Sequence, residues 1–308
     1  MNVMQTVLPY VISGVSVGGQ YALIAIGYTM VYGILRLINF AHGDVFMVAG
    51  LMMVYLAASL PIYIAIPVVI VLTVALAFII ERVAYKPLRT APRMSVMISA
   101  IGVSYLLQNL ALYITGGLNK NYPAIPWISD QVHIFGMATT RVTVITPFLT
   151  LFLVIVLVNL INHTKIGMAM RAVSRDFETS QLMGIKIDSV ISVTFIIGSC
   201  LAAVGSLLYF SNYPGVVPTS GGMPGLKAFV AAVFGGIGSI PGAVIGAFII
   251  GICESIIKGL DTILITGGAI TEQIGLATFS DAFTFVLLII ILVFKPTGLF
   301  GEKSTDKV

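Results

Sequence analysis

Apolar runs separated by short polar breaks fill this 308-residue chain, at 7–34, 43–59, 62–81, 95–115, 143–161, 190–211, 225–257 and 280–294. A helix needs about 20 mostly apolar residues to cross the hydrocarbon core of a bilayer, and these runs are of that order. A membrane barrel would show segments of about ten residues in strict alternation, which the sequence lacks. The pattern predicts an all-α, polytopic membrane protein of about eight transmembrane helices in one transmembrane domain over residues 1–308. No polar block is large enough for a soluble domain, and the longest charged segment is 163–188.

Composition agrees: 58% hydrophobic residues, 9% charged and a mean hydropathy of +1.06 lie outside the range of soluble globular domains. The first charge is Arg36. The N-terminal run therefore lacks the basic stretch of a cleaved signal peptide and is expected to be a retained span. Membrane lipid, not nucleic acid, is the surrounding partner that such a surface implies.

Charge sets the expected topology. Lysine and arginine collect in short loops on the cytoplasmic side, and the clusters are Arg82, Lys86, Arg89 and Arg93; Lys165, Arg171, Arg175 and Lys186; and Lys295, Lys303 and Lys307. These share the cytoplasmic face, which puts the C-terminus inside and residues 116–142 and 212–224 outside. The chain must then return within 225–257, which predicts a re-entrant pair. In "GLKAFVAAVFGGIGSIPGAVIGAFIIG", Gly235, Gly236 and Gly238 precede Ser239 and Pro241, a helix stop followed by a helix start. Two half-membrane helices meeting at such a break would line a transport path, because broken backbone at membrane depth needs protein or a polar cavity around it. Gly238, Gly242 and Gly246, spaced by four, also fit close helix packing. Setting Gly43 against Gly242 aligns two helix breaks and raises an inverted repeat as one reading.

Motifs for catalysis do not survive inspection. "GVSVG" at 14–18 matches a hydrolase nucleophile elbow but lies within an apolar helix, where the required strand, turn and helix are missing. The chain contains no Gly-Lys phosphate loop, no H-E-x-x-H and no C-x-x-C. Cys200 and Cys253 sit inside apolar runs, and His133 and His163 have no second metal-ligand type near them. No catalytic site, cofactor or metal is expected.

Polar groups inside the runs are the remaining chemistry. "NFAHGDVF" brings Asn39, His42 and Asp44 together, and Gln20, Gln108 and Glu254 lie in other apolar segments. Intramembrane ionisable groups are functional candidates. The stretch has two readings: a helix break at the inner membrane boundary with Asp44 stabilised in the first turn of the next helix, or a gate on a pathway. Asp44 and Glu254 are also where a coupling ion would bind in an ion-driven transporter. An intramembrane enzyme finds no paired nucleophile and base.

The segment 163–190 has helical character. A helix starting near Ser174 would set Leu182 and Met183 over Phe177 and Glu178, with Gly184 ending it. Such a helix could dock a soluble partner or only fix orientation.

Within it, "ETSQLMG", Glu178 to Gly184, resembles the E-A-A-x-x-x-G motif of bacterial ABC importer permeases, with Thr179 and Ser180 in place of both alanines. More widely, "YALIAIGYTMVYGILRLINFAHGDVFM", "ERVAYKPLR", "ISAIGVSYLLQN", "GMAMRAVSRD", "FVAAVFGGIGSIPGAVIGAFIIG" and "FKPTGLFG" are similar to the LivH-type permease of high-affinity branched-chain amino-acid uptake, over about residues 10 to 301. The resemblance implies a multi-pass subunit of an ATP-driven importer in the bacterial cytoplasmic membrane, working by alternating access. It implies a second, LivM-like permease, two cytoplasmic ATPase subunits and an extracytoplasmic substrate-binding protein as partners. Glu178 and Gly184 match the docking motif, and Arg171, Arg175 and Asp176 join the coupling element by charge and position. Branched-chain amino acids are the implied cargo, with urea, amides or other amino acids as the alternative. A self-sufficient channel or ion-coupled transporter is the rival class.

Overall fold

The computed structural model describes residues 3–89, 91–134, 137–267 and 274–301. Lys303 and Lys307 of the terminal basic cluster lie outside them. With no water in a bilayer to satisfy backbone groups, the apolar runs close their hydrogen bonds internally as helices. These are α1 (Val3–Leu35), α2 (His42–Ala57), α3 (Ile62–Ile80), α4 (Arg93–Thr115), α5 (Arg141–His163), α6 (Lys165–Arg175), α7 (Phe177–Leu182), α8 (Ile187–Asn212), α9 (Gly222–Gly235), α10 (Ile240–Lys258), α11 (Leu260–Thr266) and α12 (Ser280–Phe294). A π-helical turn, Glu81–Tyr85, and a 3-10 turn, Lys86–Leu88, extend α3. Among the described residues seven helices are long and apolar enough to cross a membrane, while α2 and α9 are apolar but short.

α1 and α8 run through the centre. Of the apolar stretch of α8, 67% is buried, against 11% for α12, so α12 has a lipid-facing character and α8 does not. Small residues let the central backbones approach. A Cβ on Gly251 of α10 would lie 2.3 Å from the amide nitrogen of Gly18 in α1, and one on Gly14 would lie 2.6 Å from the Cα of Ile252. α1 and α10 are therefore antiparallel, as are α1 and α8, where Gly27 faces Gly198 and Gln20 faces Leu208.

One end of the bundle is basic. Arg36 Nη2 donates to the Ser174 carbonyl at 3.3 Å, and Lys86 pairs with Asp188 at 2.6 Å. Beside them, the amides of Leu299 and Phe300 donate to the carbonyls of Phe234 and Gly235, each at 2.9 Å. At the opposite end β1 (Lys120–Asn121) pairs antiparallel with β4 (Gly215–Val216), Lys120 opposite Val216. A hairpin joins β2 (Gln131–Ile134) to β3 (Met137–Thr140).

The 225–257 segment returns to the end it came from, as charge predicts, but not as two half-helices meeting at mid-depth. The break at 236–239 lies at the basic end, where Gly238 stands opposite Gly33, two residues before α1 stops. α10 is a full-length span that reaches the far end, where Gly259 packs on the ring of Tyr10. The short arm is α9, preceded by an irregular segment that descends from β4.

"NFAHGDVF" is also displaced from its expected place at the membrane boundary. The His42 ring lies against Gly27, eight residues before the end of α1; at about 1.5 Å per residue that is about 12 Å inside. Residues 36–41 climb back into the bundle, and α2 starts at depth. It meets the start of α9 there: a Cβ on Gly43 would be 2.7 Å from the Gly221 carbonyl. The two short helices run antiparallel past each other and leave toward opposite ends. α2 packs on α8 as α9 packs on α1, and α3 on α8 as α10 on α1, which is the arrangement of an inverted repeat. The counterpart of Gly43 is thus the start of α9, and not Gly242. Ser239 and Pro241 mark the start of a full span, capped by Ser239 Oγ accepting from the Gly242 amide at 3.2 Å.

The helix expected to start near Ser174 starts at Phe177 instead, because a separate helix precedes it. α6 stops at Arg175, and Asp176 turns extended and caps α7, its Oδ1 accepting from the amides of Glu178 (3.0 Å) and Thr179 (3.3 Å). Aspartate is among the preferred N-caps, so the break is local chemistry. Gly184 follows α7 in the left-handed region, φ +81°, as the spacing predicts.

Candidate functional site

Where the starts of α2 and α9 meet, they form with one face of α4 an open cleft of about 570 Å³. α2 contributes Asp44 in its first turn, where the positive end of the helix dipole favours a carboxylate. α4 contributes Ser104 and Gln108, one turn apart and hence on one face. Asp44 Oδ2 accepts from Ser104 Oγ at 2.5 Å, and Oδ1 accepts from Gln108 Nε2 at 3.0 Å. Asp44 is only 3% exposed. Tyr28, Phe40, Met223, Leu226 and Phe229 make the rest largely apolar. Glycine is required at 43 because the backbone of α9 occupies the space a side chain would need.

Of the polar residues singled out from sequence, only Asp44 and Gln108 reach this cleft. Gln20 is fully buried between α1 and α8 and donates to the Leu208 carbonyl at 3.4 Å. Asn39 Oδ1 accepts from the Tyr85 hydroxyl at 2.5 Å, which ties "INFAHG" to the π-helical turn of "ERVAYKPLR". His42 lies edge-on to Tyr28 with ring centroids 5.0 Å apart. It shares with Asn39 and Ser199 a hollow of about 10 Å³, the size of one water. Gly235 packs on the Gly242 carbonyl, Gly236 on Gly301, and Pro241 opens α10, all toward the basic end.

Two ionic networks escaped the sequence reading. Lys227 of α9 pairs with Glu254 of α10 at 2.7 Å and with Asp281 of α12 at 2.6 Å. Lys258 adds a second cation to Glu254 at 2.6 Å, and the Tyr21 hydroxyl donates to Glu254 Oε2 at 3.0 Å. Glu254 is thus neutralised within the protein and does not present a free carboxylate to a coupling ion. At the basic end Arg89 joins buried Glu81 to Asp188, and Ser192 Oγ donates to Glu81 Oε2 at 2.9 Å. Buried charges persist where they are paired. The signal was present, since Lys227, Glu254 and Glu81 are charges inside or at the edge of apolar runs.

The expected coupling residues gather at the basic end. Arg171 Nη1 donates to Asn162 Oδ1 at 3.0 Å, while Arg175 and Glu178 are exposed. Beside them Leu182 and Met183 are 86% and 77% exposed, large apolar side chains standing clear of the bundle.

Comparison with known proteins places this geometry. A family described as "Branched-chain amino acid transport system / permease component" matches residues 10–292. The chain is similar to the high-affinity branched-chain amino acid transport system permease protein LivH of Salmonella typhimurium, 38% identical over 98% of this chain and 97% of that protein. LivH of Escherichia coli is 37% identical over the same shares, and BraD of Pseudomonas aeruginosa, named for the same transport system, is 38% identical over 98% of both chains. With most of its spans matched from end to end, the chain belongs to the branched-chain amino acid transport system permease family.

Proposed function

We propose that this chain is the membrane-spanning subunit through which an ATP-driven importer moves branched-chain amino acids handed over by an extracytoplasmic binding protein. The observation that carries the reading is near full-length similarity to LivH and BraD. As a permease the chain is a transport component, and ATP hydrolysis belongs to partner subunits. The basic end faces the cytoplasm, following the distribution of lysine and arginine, so the C-terminal segment is inside. The exposed Leu182 and Met183, with Arg175 and Glu178 beside them, dock an ATPase subunit.

The cleft at Asp44 is half a pathway. Ile101 and Tyr105 of α4 line it and are themselves exposed, so a second, LivM-like permease covers this face and completes the wall. ATP-driven closure of the two ATPases moves α6 and α7, and the permease pair opens to one side at a time.

The test is reconstitution. Proteoliposomes holding both permeases and both ATPases, given ATP and the loaded binding protein, take up labelled leucine. Glu178→Arg abolishes uptake while the chain still inserts in the membrane. Uptake by this chain alone, driven by an ion gradient without ATP, refutes the reading. Uptake of urea without leucine refutes the cargo.

A further inference from the structure

We infer that Asp44 receives the ammonium group of the cargo in transit, so that the cleft recognises an α-amino acid as an amine attached to an apolar side chain. This rests on the amino-acid reading above. The first support is a contrast among buried carboxylates. Glu81 has Arg89 and Glu254 has Lys227 and Lys258. Buried Asp261 has no such cation among the described residues but accepts from two backbone amides at 2.9 and 3.0 Å. Asp44, by contrast, has no lysine or arginine within ion-pair distance among the described residues and opens on a cleft. Ser104 and Gln108 give it two neutral donors. A carboxylate has about four lone-pair sites, so acceptor capacity is left over. At membrane depth an ionised group without a counter-charge is costly, and a cationic ligand relieves that cost.

The second support is where the capacity points. Asp44 lines the open cleft together with Ser104 and Gln108, and the cleft's other polar lining groups, the hydroxyls of Tyr28, Tyr105 and Thr219, carry no charge. Phe40, Met223, Leu226 and Phe229 line the same cleft, which suits an aliphatic side chain attached to the amine. A cargo lacking a cationic group, such as urea, gains nothing from Asp44.

The test measures the charge at the cleft in the assembled importer. Met223→Cys is made in a chain whose Cys200 and Cys253 are replaced by alanine, and its reaction with cationic and anionic methanethiosulfonates of equal size is timed. The cationic reagent reacts at least about tenfold faster, a modest fraction of the attraction of a unit charge several ångströms away at an effective dielectric near 20, and leucine slows it. Asp44→Asn erases the preference and lowers leucine uptake at least tenfold, while ATPase stimulation by the loaded binding protein persists; Asp44→Glu keeps the preference. Equal rates for the two reagents in an importer that carries leucine overturn the role of Asp44 alone, as does Asp44→Asn uptake within twofold of the native value. If Asp44→Asn does not assemble, the rates in the Met223→Cys chain decide. An assembled importer that carries urea and no leucine overturns the amino-acid reading, and this inference with it.

Discussion

The backbones of Gly43 and Gly225 touch: a Cβ added to Gly43 would lie 3.0 Å from the Cα of Gly225, and the reverse substitution would bring 2.8 Å. This contact holds the starts of α2 and α9 together inside the bundle and thereby shapes the cleft. Gly43→Val is expected to destabilise the subunit by at least the roughly 1–3 kcal/mol of an overpacked core site, read as a lower melting temperature of the purified importer. Gly102→Ala on α4, with nothing within 4 Å of the new Cβ, should leave that temperature unchanged. Equal effects of the two would mean the contact is not structural.

Lys227 holds α9 to both α10 and α12. Lys227→Met leaves Asp281 without its cation and Glu254 with only the half-exposed Lys258. Breaking a buried pair from one side costs on the order of 3–5 kcal/mol. The double variant Lys227→Met with Glu254→Gln should recover part of this in thermal unfolding. A single variant no less stable than the double would show that the pair is not coupled.

Leu182→Asp combined with Met183→Asp places two charges where no neighbour is disturbed, given exposures of 86% and 77%. Membrane insertion should be unchanged while the ATPase subunits no longer co-purify. Normal co-purification would move the docking surface elsewhere.

Asp176→Ala removes the cap of α7, including the bond its Oδ2 accepts from Thr179 Oγ1 at 2.5 Å. Loss of an N-cap costs about 1 kcal/mol, enough to fray a six-residue helix. Leucine uptake per ATP hydrolysed should fall, and Asp176→Asn should restore most of it because asparagine caps nearly as well. Equal deficits in both variants would show that charge, not capping, is what the position supplies.

The spans were legible because length and apolarity are local properties. α4 and α5 lie within two residues of the expected 95–115 and 143–161. Depth was not legible. α2 and α9 follow Ala41 and Gly221, neither of which offers a side-chain cap, so nothing local announces that a helix starts mid-bundle; Gly27 and Gly225, far along the chain, decide it. Gln108 and Asp44 were each visible as polar residues in apolar runs, but the hydrogen bond between them spans 64 positions, and no periodicity encodes that. Asp176 is the opposite case: a strong local signal, the preferred cap, lies two residues inside the helix expected from Ser174 and sets its true start.

The glycine seam between α1 and α10 has a mechanical consequence. With Gly14, Gly18 and Gly251 in backbone contact, the two main chains meet with no side chain between them. Such close contact leaves no slack between the helices, which suits α1 and α10 to travel as one piece. A rigid pair of this kind leaves motion easier to accommodate at α12, whose apolar stretch is only 11% buried, than along the seam itself.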